Sequence, residues 1–408
     1  DISGIVQTAN TWKFPMSAVT GTVIHANILV WYVVYALFGL APWAYRLVNI
    51  ACHAISVILV YKIVFQLANP PLQVPDGTWH CQVPDGTWLR QRWIAFIAAS
   101  LFAVHPIIIE SVVWIAGGVY VQYGMVFLLS FWLYIMGRKL EGRALRVGVE
   151  DRRLNMEKTS YLFSTIHILP LSSMFYLLCS YVVFLVSLLF SEKVGVLFLL
   201  FFLYEFCFGN LKKNWRKLMP YFIVSCIFIL FYMTQLNSRI AGVTQVSGAG
   251  GSMYNPLIQL PVALSSYFYL IFWPKNLTLY HQEVPIVGTA DYVFRVLTVC
   301  VYLFGIVFTA VKNRKLCFWL VWFLIPLIPT ITPLKIAWLV AERYAYLSVI
   351  GIFVLIAYGF EWVINIFIYN IAGGAGRGAP KKGSPCGYSW EKTRDRTRTK
   401  KTHKRSYN

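Results

Sequence analysis

Ionisable side chains are scarce in this sequence, and five short clusters at the edges of long apolar runs hold those best placed for chemistry. His105 and Glu110 flank a break, in His105-Pro106-Ile107-Ile108-Ile109-Glu110-Ser111, where one apolar run stops and the next begins. A carboxylate there either serves a reaction or only complements the positive end of a helix. Ser191-Glu192-Lys193 is squeezed between two apolar runs. Its ammonium either pairs locally with Glu192 or binds phosphate as a point charge. Tyr280-His281-Gln282-Glu283 follows Trp273-Pro274 and an Asn276-Leu277-Thr278 sequon, which matters only in a eukaryotic lumen. Lys335 precedes Ala341-Glu342-Arg343-Tyr344. That guanidinium either grips phosphate through two hydrogen bonds or anchors the chain beside Glu342. Asp1 opens the fifth cluster, Asp1-Ile2-Ser3-Gly4-Ile5-Val6.

The elements that must position these groups are transmembrane helices. The 408 residues are 58% hydrophobic and 13% charged, against about 25% charged in soluble domains. Many windows run about 17–20 residues without a charge, enough to cross a hydrocarbon core of about 30 Å. Backbone polar groups in lipid must be satisfied within the segment, so these windows are helices, and the fold class is an all-α polytopic bundle. An ionisable group at that depth is costly unless paired or hydrated, which makes the five clusters functional candidates. The net charge of +20 does not imply a nucleic-acid partner: 11 of the 36 Lys and Arg lie between Arg377 and Arg405, and most others sit in short loops. That is the distribution of cytoplasmic loops facing a lipid bilayer. The eight cysteines form no CxxC pair and read as small apolar residues.

Apolar windows fall near 23–40, 45–65, 93–108, 112–137, 171–190, 194–209, 218–235, 257–273, 292–311, 316–332 and 344–368. The basic stretches Arg138–Lys158, Lys212–Lys217, Lys312–Lys315 and the tail are expected on the cytoplasmic side. That parity is met by nine spans if 257–273 and 23–40 lie on the outer face as interfacial or re-entrant helices. Segments 1–44, 105–119, 191–193, 236–291 and 333–343 then face away from the cytosol. The expected organisation is a first extracytoplasmic loop over 1–44, a transmembrane core over 45–370, and a disordered basic tail over 371–408. A direct repeat, Gln73–Trp79 and Gln82–Trp88, is read as a local duplication in a loop.

Taken in order, several motifs resemble one known family. They are Trp43 through Asn49 to His53; His105-Pro106 with Glu110 and Trp114; Trp273-Pro274 to Tyr280; and Ala341-Glu342-Arg343 with Tyr346-Leu347. The family is the multi-pass membrane glycosyltransferases of the glycosyltransferase-C superfamily, related to protein O-mannosyltransferases, many of which carry tetratricopeptide repeats. The resemblance is collinear from Asp1 to about residue 365. It implies a polyprenyl-phosphate sugar donor, a protein or glycan acceptor, and transfer of a hexose or mannose on the extracytoplasmic side. The membrane would be that of a prokaryotic cell, or the endoplasmic reticulum in a eukaryote. An acidic pair in the first outer loop would act on the acceptor. Asp1 matches its second member, so the first acid and a preceding span are expected upstream. Two departures stand out: Gly117 to Gln122 lacks the charge that relatives often carry there, and no tetratricopeptide motif follows residue 368.

The chemistry then needs a base for the acceptor hydroxyl and positive charge for the departing phosphate. The expected assignments are Asp1 as base with Glu110 in support, and Arg343 and Lys193 on the phosphate. His105, His281 and Lys335 complete the donor-binding candidates. No cofactor is certain; a divalent metal on the acidic pair is possible. The alternatives are a lipid flippase or transporter, and a catalytically inactive protein that retains the fold.

Overall fold

A computed structural model of the chain describes residues 26–68, 87–153, 160–234, 256–275, 277–278, 288–331 and 340–373. The chain divides into a unit from Asp1 to Glu361 and a second from Trp362 to Asn408. In the first, the helices are α1 (Ala26–Phe38), α2 (Pro42–Ala68), α3 (Thr87–Val104), α4 (Ile109–Val113), α5 (Gly118–Arg153) and α6 (Ser160–Leu188). They continue as α7 (Val194–Cys207), α8 (Leu211–Thr234), α9 (Pro256–Phe272), α10 (Thr289–Lys312) and α11 (Arg314–Leu324). The last helix, α12 (Val349–Gly373), supplies residues 362–373 of the second unit. No β-strand occurs among the described residues. The protein is an all-α, multi-pass membrane protein.

Among the described residues, six helical stretches are long and apolar enough to cross a bilayer: Pro42–Ala68, Ile115–Arg143, Leu171–Leu188, Leu211–Thr234, Thr289–Lys312 and Val349–Phe367. A seventh is Leu89–Val104 with Pro106–Val113, bent by 54°. Proline explains that break. Pro106 cannot donate a backbone hydrogen bond, and the His105 ring accepts from Ile107 N instead, capping a new 3-10 turn. The remaining two of the nine expected spans are shorter than the apolar windows implied. At 14 residues, α7 is about 21 Å long, and α11 has 11 residues before it tightens into a 3-10 turn at Ile325–Leu327. Asn313 caps α11 by accepting from Lys315 N and Leu316 N at 3.1 and 3.4 Å. The two windows expected on the outer face, α1 and α9, are also too short to span.

The helices of the first unit pack around aromatic side chains. Phe131, Phe184, Phe201 and Phe318 are fully buried, with Phe201 stacked on Tyr221 at 4.4 Å between ring centres. Helices α5 and α6 meet through small residues: Ser130 and Ser180 exchange hydrogen bonds to each other's carbonyls at 2.7 and 2.8 Å. Outward faces are apolar, as on α10, where Phe294, Val301, Phe304 and Val311 are exposed, the surface that lipid would cover.

One end of this unit collects the basic clusters. The Glu205 carboxylate, with no exposed side-chain surface, accepts from Tyr134 OH at 2.8 Å, Arg138 Nε at 2.6 Å and Asn214 Nδ2 at 2.7 Å. Glu141 bridges Arg138 to Lys217. Lys139 and Lys315 close the C-terminal carbonyls of α2 at Gln66 and Ala68. Three basic stretches far apart in sequence therefore meet at one end, as their charge had led us to expect.

Candidate functional site

The opposite end holds the chemistry-bearing residues. Tyr120 and Arg138 lie on the same helix, α5, 18 residues apart or about 27 Å along it. Tyr120 marks the site end and Arg138 the basic end.

Glu110 stands in the first turn of α4, placed there by the proline break. Its Oε2 accepts from the backbone N of Arg343 at 2.8 Å, and its Oε1 takes the Nη1 donor of the same residue. Both side chains are buried, 3% exposed for Glu110 and 7% for Arg343. A carboxylate engaged by both the main chain and the guanidinium positions Arg343. The 3-10 turn Glu342–Ala345 that carries Arg343 is held from two more sides. Thr278 N donates to Glu342 Oε1 at 2.9 Å, and Tyr267 OH contacts both Ala341 O and Ala341 N.

The motif histidines brace the same region. His53 Nε2 donates to Ala103 O at 3.3 Å, so its Nδ1 accepts from Tyr346 OH at 3.0 Å. His105 donates from Nε2 to Ile271 O at 2.9 Å, while its Nδ1 caps the turn at Ile107. His105 thus ties α3 to α9 and is not among the cavity-lining residues.

Lys193 closes the turn between α6 and α7. Its amine donates to Tyr120 OH and sits over the rings of Tyr120 and Tyr344, at 4.2 and 4.4 Å from their centres. Among the described residues no carboxylate lies within ion-pair distance of it. The Arg343 guanidinium lies 5.2 Å from the Trp114 ring centre and 5.1 Å from that of Tyr344. Burial pushes the Lys193 ammonium below the ordinary lysine range, against the pull of Tyr344 and Glu192. Burial also opposes the Arg343 charge, but Tyr344 and Glu110 outweigh it and hold that group above its usual value.

Both cations open onto a cavity of about 370 Å³. Its wall includes Asn27 and Trp31 of α1, Trp114, Tyr120, Glu192, Lys193 and Arg343. The volume falls within the range of small-molecule sites. The wall carries two cations and the Glu192 carboxylate, and Glu110 pairs with Arg343 from beneath, so these formal charges balance while the ammonium and guanidinium donors border the cavity. This arrangement suits an anion carrying an apolar or ring-shaped group.

A stretch of 112 residues is 32% identical to Protein O-mannosyl-transferase TMTC2 of Mus musculus. The human protein of the same name is 31% identical over the same length. Each match covers 28% of this chain and 11% of the relative. No family model matches the chain, and no solved structure matches it. The similarity supports a glycosyltransferase-like family at most.

Among the residues singled out in the sequence, the structure places Arg343 and Lys193 on the cavity wall and pairs Glu110 with Arg343, off the lining. Asp1, His281 and Lys335 lie outside the described residues. Among the described residues no three His, Cys, Asp or Glu side chains gather in a metal-ligating group. Sequence reading missed Tyr120, Tyr344, Asn27 and Trp31. The first two lie beside expected motifs, where an aromatic looks like core. The polar Asn27 in the apolar 23–40 window was the one visible signal on α1.

Proposed function

We propose that the chain belongs to a membrane glycosyltransferase that takes a hexose, of mannose type, from a polyprenyl-phosphate donor and passes it to an acceptor hydroxyl. Lys193 carries this reading: an ammonium held over two tyrosine rings, beside Arg343, on a cavity wall. Such a cation favours an anionic ligand.

In the reaction the acceptor oxygen attacks the anomeric carbon, and the bond from that carbon to the phosphate oxygen breaks. The phosphate leaves with the electron pair and meets Lys193 and Arg343, which stabilise its charge. The acceptor proton passes to a carboxylate, which the resemblance assigns to Asp1. Glu110 fixes Arg343 in position. The site is the end away from the basic clusters, and so the extracytoplasmic or lumenal face; the acceptor is a protein or glycan reaching it from there. The divalent metal that the resemblance allows would rest on the acidic pair to which Asp1 belongs.

Sugar transfer by the full-length gene product, assayed in membranes with polyprenyl-phosphate mannose, tests the reading. Asp1→Asn is expected to abolish transfer while leaving donor binding intact, and Lys193→Ala to weaken donor binding. Wild-type rates in both variants would remove it.

A further inference from the structure

Another part of the cavity wall has a different character. Asn27 is 6% exposed, lines the cavity, and its Oδ1 has no hydrogen-bond partner among the described residues. Other buried polar atoms also lack partners, such as Ser111 Oγ, Asn49 Nδ2 and Gln122 Oε1, but none of those side chains lines the cavity. An amide oxygen buried without a donor is a standing cost, which a ligand hydroxyl removes and a fully ionised phosphate, having only acceptors, does not.

Its placement is firm. Ala26 N donates to Leu189 O at 2.7 Å, which ties the start of α1 to the turn that bears Ser191 and Lys193. Val34 of α1 packs with Ala44 and Tyr45, and Trp31 with Ile115 joins that cluster from its edge. Asn27 and Trp31, four residues apart, therefore share the inner face of α1. Trp31 and Trp114 line the same cavity and supply aromatic surface, against which the C–H groups of a sugar ring can pack.

We infer that Asn27, with Trp31, forms the hydroxyl-reading wall of this cavity and selects a phospholipid that carries a sugar over the same lipid without one. This rests on the proposed donor chemistry and adds a specificity-determining residue to it.

The test is competition binding by the full-length chain in lipid nanodiscs, with polyprenyl phosphate and polyprenyl-phosphate mannose as the two ligands. The wild type is expected to prefer the mannosylated lipid. Asn27→Leu, of similar volume, should reduce that preference by roughly tenfold or less, the worth of one hydrogen bond, by weakening the mannosylated lipid alone. Asn27→Ala should do the same, and binding of the bare phosphate reports that either variant is folded. An unchanged ratio in both variants overturns the inference while leaving the donor reading in place. If Lys193→Ala binds the bare phosphate as the wild type does, or if the wild type binds neither lipid, the donor reading fails and takes the inference with it.

Discussion

Removing the Glu110 carboxylate strands a buried cation. The Arg343 side chain is 7% exposed, and Glu110 supplies both a counter-charge and the acceptor for Arg343 N. Breaking a buried ion pair from one side costs about 3–5 kcal/mol. An orphaned backbone N–H costs about 1–3 kcal/mol, part of which is already in that figure. Glu110→Ala should thus destabilise the protein by about 4 kcal/mol. Glu110→Gln keeps an acceptor for Arg343 N and loses only the charge, so about half of that is expected. Arg343→Met combined with Glu110→Ala removes the stranded cation and should recover about 2–3 kcal/mol relative to the sum of the single changes. Unfolding of the full-length protein in mixed micelles, titrated with a denaturing detergent, measures all four corners of this cycle. The double variant should regain stability without regaining donor binding, which separates the structural role of the pair from the ligand role of the guanidinium. A cost below about 1 kcal/mol for Glu110→Ala, or single effects that add within about 0.5 kcal/mol, would refute the account of this pair.

The Lys193 ammonium is lowered by burial, so between its folded value and the ordinary lysine range the unfolded chain holds more protons. Stability of the ligand-free protein should rise with pH across that window, while donor affinity falls as the charge is lost; Lys193→Ala should show neither trend when both are measured in parallel. A methyl at Gly118 would meet the buried Asn49 amide at 2.1 Å, and Gly118→Ala should cost about 1–3 kcal/mol by the same detergent titration. At Gly351 the obstacle is backbone, Trp319 O at 2.4 Å, which cannot rotate away; Gly351→Ala should be the more damaging of the two, compared by folded yield and unfolding midpoint. Glu205→Ala leaves Arg138 short of its fully buried partner and should cost about 3 kcal/mol. Its donor affinity should stay at the wild-type value, because the site lies about 27 Å away along α5.

Much of the bundle was readable because charge-poor windows are a strong signal. The windows at 45–65, 171–190, 292–311 and 344–368 each fall on a helix long enough to span. The 93–108 window was harder: apolarity continues through His105-Pro106, but the missing backbone donor bends the chain there by 54°. Spans near 194–209 and 316–332 came out short: α7 stops at Cys207 and α11 tightens into a 3-10 turn at Ile325, and hydropathy registers neither. The convergence of the basic stretches followed from charge alone. At the site, residue types pointed to Glu110, Lys193 and Arg343, but not to their partners. Local reasoning pairs Lys193 with Glu192 and Arg343 with Glu342. In the fold, Lys193 turns to Tyr120 and Arg343 to Glu110, 233 residues away. Contacts at that separation depend on how α4, α5 and the Glu342–Ala345 turn pack, which no periodicity records.

Where the lipid phosphate rests is the most direct question to put to this protein. A polyprenyl phosphate bearing a diazirine next to its phosphate, photolysed with the full-length chain in nanodiscs, marks the answer by peptide mapping. The label should land on Trp31, Trp114, Tyr120 or Phe190, be displaced by excess polyprenyl-phosphate mannose, and vanish in Lys193→Ala. Labelling confined to the Arg138, Glu205 and Lys217 end, or labelling at the cavity that excess sugar-lipid does not displace, would contradict it.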